Sequence, residues 1–340
     1  MDSIYDLATK YKTLSIVGMA KNAGKTTALN YLIEEADDEG IRLGISSTGR
    51  DGETSDLVTG TEKPRVFLYE DTIVTVPRQL YDFAEGGLEI LEMTGISTAV
   101  GELMICRVAD SGYVQIAGPV ATADSKKVCR RMFELGAELI MIDGAIDRKS
   151  IASPETSDAV ILSTGAVISR SMGKVVEETA HIVNLYNLPE IEDQGIRDIL
   201  VSDDGIEDHV VLIDRDNQVN RLDLTTGLGA SRFIDEAIDE NTRYVFIPGA
   251  LTKSVIADIQ RPKLKSVRFL LKDPTRIFID SVSWRQLAKR GFRVSVLKNI
   301  TIAAVTVNPY SPKGYSFEHE ALRDAMQEAL PEIPVIDVRL

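Results

Sequence analysis

The chain has 340 residues, 44% hydrophobic and 26% charged, with a formal net charge of −14 at pH 7. That length and balance predict about two soluble globular domains, each able to bury a core. The negative charge argues against general nucleic-acid binding, since it would repel the phosphates, and no apolar run approaches the ~18 residues needed to cross a bilayer.

The first residues, Met1-Asp2-Ser3-Ile4-Tyr5-Asp6, are acidic and lack the basic-then-apolar order of a secretory leader. Cys106 and Cys129 are isolated, with no CxxC spacing, and read as buried thiols in a strand and a helix rather than as a metal site or a disulfide framework. His181, His209 and His319 share no ligand spacing. A cytoplasmic protein without membrane association is expected.

Residues 2–12 read as a short helix leading into a strand at 14–17. The strand ends in Gly18-Met19-Ala20-Lys21-Asn22-Ala23-Gly24-Lys25-Thr26-Thr27, which opens a helix. Gly24-Lys25-Thr26 has the form of the phosphate-binding end of a P-loop. Glycine lets backbone N–H groups converge on phosphate oxygens, Lys25 adds a charge near the β- and γ-phosphates, and the Thr26 hydroxyl ligates Mg²⁺. The helix dipole points its positive end at the same anion. The expected nucleotide-binding run is Lys21, Asn22, Ala23, Gly24, Lys25, Thr26 and Thr27, with ATP and Mg²⁺ as the ligands. Five residues separate Gly18 from Gly24, where the usual spacing is four, so Met19 takes the place of the first glycine.

In the helix that follows, Ala28, Leu29, Leu32, Ile33 and Ala36 form an amphipathic stripe, and Gly40 supplies a stop before a strand at 41–46. The exit of that strand is Ser46-Ser47-Thr48-Gly49-Arg50-Asp51-Gly52-Glu53. Ligands bind beyond the carboxyl ends of strands in such folds, so Thr48, Arg50, Asp51 and Glu53 mark a second-substrate or switch edge; a polar turn fits the composition too. Short strands are expected at 65–69 and 72–76, and a hairpin of 102–108 with 113–117 through Asp110-Ser111-Gly112. Helical stretches start at Arg78 and Thr122.

The run Glu138-Leu139-Ile140-Met141-Ile142-Asp143-Gly144 has the form of a Walker B strand, buried and delivering one carboxylate towards Mg²⁺. Lys25 and Asp143 are thus the catalytic candidates, and Thr26 and Asp143 the metal-side pair. Asp147, Arg148 and Arg170 are further candidates for the phosphate side. A strand is expected at 159–162, and an acidic, irregular stretch at 188–204 reads as a boundary. Beyond it, strands at 210–213, 244–247, 267–271, 294–297 and 301–307 alternate with helices near 231–239, 252–260, 281–290 and 318–330. Residues 248–252 form a strand–turn–helix edge able to present amides to an anion, and 308–315 reads as a rigid aromatic loop. The predicted fold is α/β: a P-loop NTPase-like parallel or mixed sheet flanked by helices over 1–190, followed by a second α/β domain over 200–340.

Residues 16–27, with Ile142-Asp143-Gly144-Ala145-Ile146-Asp147-Arg148 and Val307-Asn308-Pro309-Tyr310-Ser311-Pro312, resemble the smaller subunit of the lysine 5,6-aminomutase reactivase family. The resemblance implies a nucleotide-binding protein of amino-acid fermentation that helps exchange damaged cobalamin for intact coenzyme. Its implied partners are a MutS-like ATPase subunit and the cobalamin-dependent aminomutase. It transfers Gly24, Lys25, Thr26, Thr27 and Asp143 as site residues. Two other classes remain beside an accessory ATPase: a small-molecule kinase or ATP-dependent ligase, and a nucleotide-binding module without turnover. No Asn/Thr-Lys-x-Asp follows an apolar strand, which disfavours a GTPase.

Overall fold

The computed structural model describes residues 4–48, 66–144, 157–202, 206, 209–224 and 230–338. Two compact units emerge: Met1–Thr179 with Thr301–Leu340, and Ala180–Ile300. No described helix is long and apolar enough to cross a membrane.

The first unit is built on a nine-stranded mixed sheet. Its strands are β1 (Thr13–Gly18), β2 (Leu43–Ser47), β3 (Ile73–Pro77), β4 (Leu88–Thr98), β5 (Gly101–Val108), β6 (Leu139–Asp143), β7 (Ala159–Gly165), β8 (Ile302–Asn308) and β9 (Val335–Ile336), in the order β9-β8-β7-β1-β6-β2-β3-β5-β4. Pairs from β9 to β3 are parallel; β3–β5 and β5–β4 are antiparallel. The central strands are continuous apolar runs because helices cover both faces. A first short helix, α1 (Ile4–Lys10), precedes β1. Leu139 and Met141 of β6 pack in one core with Leu29, Leu32 and Ile33 of helix α2 (Lys25–Asp38). Ile140 and Ile142 point the other way and pack with Val128, Cys129 and Met132 of helix α3 (Thr122–Glu134).

The stripe expected on α2 is its buried face: Ala28, Leu29, Leu32, Ile33 and Ala36. Each Leu or Ile so buried is worth roughly 1.5–3 kcal/mol. Gly40 stops the helix as expected. It adopts φ 68, its N–H donates to Asp37 O at 3.0 Å, and Ile41 N–H donates to Ala36 O at 2.8 Å. These two bonds make a Schellman cap, which favours glycine at the left-handed position. No atom lies within 4 Å of where a Cβ would stand at Gly40, so Gly40→Ala tests the backbone alone. It is expected to cost about 1 kcal/mol, lowering the urea midpoint with the slope unchanged. An unshifted midpoint would show that the cap carries no stability.

Cys106 lies buried in β5 and Cys129 in α3, as read from the sequence. Burial pushes both thiols up to about 11, with Asp158 adding to the effect at Cys129, so both stay protonated and inert at neutral pH.

Several expectations are corrected. The hairpin partner of β5 is β4, not 113–117; residues Gly112–Val114 pair instead with Val66–Leu68. β4 is the outermost strand, with Ile90 and Met93 exposed and two register shifts along its length. Its apolar positions therefore never form a regular pattern. The stretch from Arg78 is only a 3₁₀ turn, Arg78–Phe83. Of the helix expected at 252–260 only Lys253–Ile256 forms; a separate short helix, Arg261–Ser266, follows, with Pro262 in its first turn, where the missing N–H costs nothing.

The end of the chain also differs from the expected division at 190–200. Ile302–Asn308 is not part of a separate C-terminal domain: it joins the nine-stranded sheet beside β7, followed by Val335–Ile336. Its run Ile-Ala-Ala-Val-Thr-Val is apolar on both faces and finds cover only inside a sheet with helices on each side. The second unit has its own five-stranded sheet, ordered Val219–Leu222, Val210–Asp214, Thr242–Phe246, Arg268–Leu271 and Val294–Val296. Its core includes Val211, Ile213, Phe246 and Leu270.

Candidate functional site

Chain connections leave β1 towards β2 on one side and reach β7 on the other, with β6 inserted next to β1. That reversal opens a crevice at the carboxyl end of β1. The loop after β1 is held at its start by Met19 N–H donating to Ser163 O at 2.9 Å. Asn22 (φ 65) and Gly24 (φ 98) are both left-handed and turn the chain into α2. A Cβ at Gly24 would stand 3.0 Å from Asn308 Cβ, so glycine is favoured there by conformation and by space. Gly24 is the N-cap and its O accepts from Ala28 N–H at 2.9 Å, but it has no side chain to cap the first turn. The amides of Lys25, Thr26 and Thr27 begin a helix whose positive dipole end faces the crevice.

Lys25 Nζ lies 2.5 Å from Asp143 Oδ1, joining residues 118 apart in sequence, and also donates to Gly144 O. The side chains are 16% and 24% exposed, so the pair sits at a wet edge rather than in the core. Asp143 is fixed by its neighbours: its O accepts from Ser47 Oγ at 3.0 Å and from Thr48 N–H at 3.1 Å. Gly144 N–H donates to Ile16 O at 3.1 Å. The strand-end acid is thereby clamped between β1 and β2.

Thr26 and Thr27 are half-buried in the first turn of α2, Ala23 is buried, and Lys21 and Asn22 are exposed on the loop. Thr48 is buried beside Asp143, and among the described residues its hydroxyl has no hydrogen-bond partner. Arg50, Asp51, Glu53, Asp147 and Arg148 lie outside the described residues. The Arg170 guanidinium sits over the Tyr315 ring, 5.2 Å from its centroid. In the second unit, Leu251–Thr252 of the expected anion edge are instead a short strand paired with Ile277–Phe278.

One residue of the site was not singled out from the sequence. Asn308, at the end of β8, donates from Nδ2 to Asn22 O at 3.2 Å and accepts at Oδ1 from Tyr310 N–H at 3.1 Å. It ties the loop that carries Gly24 to a strand almost three hundred residues later. The available signal was an amide directly after an apolar run, at Val307-Asn308-Pro309.

No protein-family model, curated protein or solved structure matches this chain.

Proposed function

We propose that residues 18–27 form a phosphate-binding loop of a P-loop NTPase-like fold and that Asp143 is its Walker B acid. On this reading the chain binds ATP with Mg²⁺. It acts as an accessory ATPase that reactivates an adenosylcobalamin-dependent aminomutase of the lysine 5,6 type by promoting exchange of damaged cobalamin. The observation that carries the nucleotide site is the convergence of Lys25 and Asp143 at the carboxyl end of β1, beside an uncapped helix N-terminus. The aminomutase, and the MutS-like ATPase as second component, come from the sequence resemblance.

The donor chemistry fits the ligands. A hydroxyl and a carboxylate, Thr26 and Asp143, are the oxygen donors that Mg²⁺ takes alongside phosphates and water. Gly24 lets the loop turn left-handed and pass close to Asn308, where a Cβ would stand 3.0 Å from Asn308 Cβ. When bound, Mg²⁺ would neutralise charge on the phosphates. Lys25 would then turn from Asp143 to the phosphate oxygens, the first amides of α2 would hold the same anion, and Asp143 would orient metal-side water. Ser47 and Thr48, on the far side of Asp143, favour a second reading: a kinase or ligase in which this edge positions an acceptor.

The deciding experiment is ATP turnover by the chain alone, then with a MutS-like ATPase and an inactivated aminomutase, then with a panel of free metabolites. Phosphoryl transfer depends on pre-organised charge, and a partner that completes it raises turnover by at least about tenfold. Slow turnover alone with that rise is the expected result. Rapid stoichiometric phosphorylation of a metabolite, indifferent to both proteins, would favour the kinase.

A further inference from the structure

β7, β8 and β9 bring their carboxyl ends to the Gly24 loop from the side opposite Asp143. Beyond Asn308, Pro309 restricts the backbone, and Tyr310–Ser311 pairs antiparallel with Tyr315–Ser316. This small hairpin is anchored twice. Tyr315 OH donates to Ala166 O at 2.6 Å, just past the end of β7. Tyr310 OH lies 3.0 Å from His319 Nε2, and the two rings meet edge to face at 5.2 Å. His319 Nδ1 lies 2.8 Å from Asp337 Oδ2, a carboxylate whose side chain is 0% exposed. A carboxylate only accepts, so Nδ1 carries the proton of that bond, and Nε2 shares a hydrogen bond with the tyrosine hydroxyl.

Burying a carboxylate is costly unless it is bonded, and what this chain of bonds fixes is a ring that is itself 46% exposed. The wall it belongs to is closed against the phosphate loop. The cavity bounded by Gly24, Thr27, Asn308, Pro309 and Asp337 holds about 10 Å³, at most one water. A heterocycle cannot enter it. The Asn308 amide gives one N–H to Asn22 O and accepts from Tyr310 N–H, which ties this wall to the loop. A nucleoside attached to phosphates at Lys25 and turned to this side must lie over the outer surface of the wall, where the held aromatic ring is exposed.

We propose that Tyr310 is the stacking platform for the base of the bound nucleotide, and that His319 and Asp337 are positioning residues that hold its ring. The proposal rests on the phosphate-site reading above. Stacking tolerates any base, so this platform contributes affinity rather than a choice between adenine and guanine.

The test compares Mg-ATP with inorganic tripolyphosphate, which has no base, on the full chain. Tyr310→Ala is expected to weaken Mg-ATP about tenfold or more and to leave tripolyphosphate unchanged. His319→Ala should give a smaller loss, again confined to the nucleotide. Tyr310→Trp keeps a stacking ring and so retains affinity. Because Trp284 is the protein's single tryptophan, the new indole gives a signal of its own, quenched by ATP and not by tripolyphosphate. Equal effects on the two ligands, no effect of Tyr310→Ala on either, or an unquenched indole would overturn the platform alone. Wild-type protein that binds neither ligand would overturn the phosphate site and the platform with it.

Discussion

Lys25→Ala is expected to lower Mg-ATP affinity about a hundredfold or more, the loss of ~3 kcal/mol that follows when one member of a bonded charge pair is truncated. Lys25 is the first residue of α2 and the one cation that the described structure places against Asp143. On the proposed reading its amine would supply the point charge that the helix N-terminus cannot, since backbone amides carry only partial charges. Stability should change little. Alanine is the best helix former, the side chain lost lies at a solvent edge, and Asp143, 24% exposed, can turn to water. Calorimetry with Mg-ATP and a thermal melt of the same variant separate the two effects. Unchanged affinity would remove the site from these residues, whereas a fallen melting temperature would mean that Lys25 acts by packing.

What could be read from the sequence was local. The stripe on α2 and its Gly40 stop follow from helical spacing and one left-handed glycine, and both are where the pattern puts them. The runs before Gly18 and Gly144 are central parallel strands because buried strands need no alternation. Once both are parallel neighbours, their carboxyl ends share an edge, and Lys25 meets Asp143. What escaped depends on pairing across long distances. Nothing near Ile302 says that its strand inserts beside β7, so Asn308 could not be placed against Asn22. His319 and Asp337 carry no ligand spacing, since the bend from helix His319–Ala329 into β9 brings them together. β4 escaped for a different reason: an edge strand exposed along much of its length has no hydrophobic period to detect.

Asp143→Asn is expected to move nucleotide binding in opposite directions with and without metal. In metal-free buffer the wild-type lysine must leave a carboxylate 2.5 Å away before it can serve a phosphate, and that carboxylate also repels the incoming anion. At an effective dielectric near 20 a contact between unit charges is worth about 4 kcal/mol. Part of this survives in the variant, because Lys25 still donates to Gly144 O. A net gain of roughly 1–2 kcal/mol, about tenfold tighter ATP in EDTA, is therefore expected. With Mg²⁺ the sign reverses. On the proposed reading the wild-type carboxylate would take the metal and Lys25 would turn to the phosphates, so metal and nucleotide would favour each other's binding; an amide at 143, a poorer ligand, would weaken that coupling. The ratio of affinities with and without Mg²⁺ should fall by about a hundredfold, read by calorimetry in the two buffers, even where affinity in Mg²⁺ alone changes modestly. The same substitution leaves the backbone clamp on Asp143 O intact, since Ser47 and Thr48 bond the carbonyl and not the side chain. A variant that binds ATP more weakly in EDTA, with its Mg²⁺ dependence preserved, would show that Asp143 holds Lys25 in its working position. The pair would then be a scaffold rather than a latch that the metal opens.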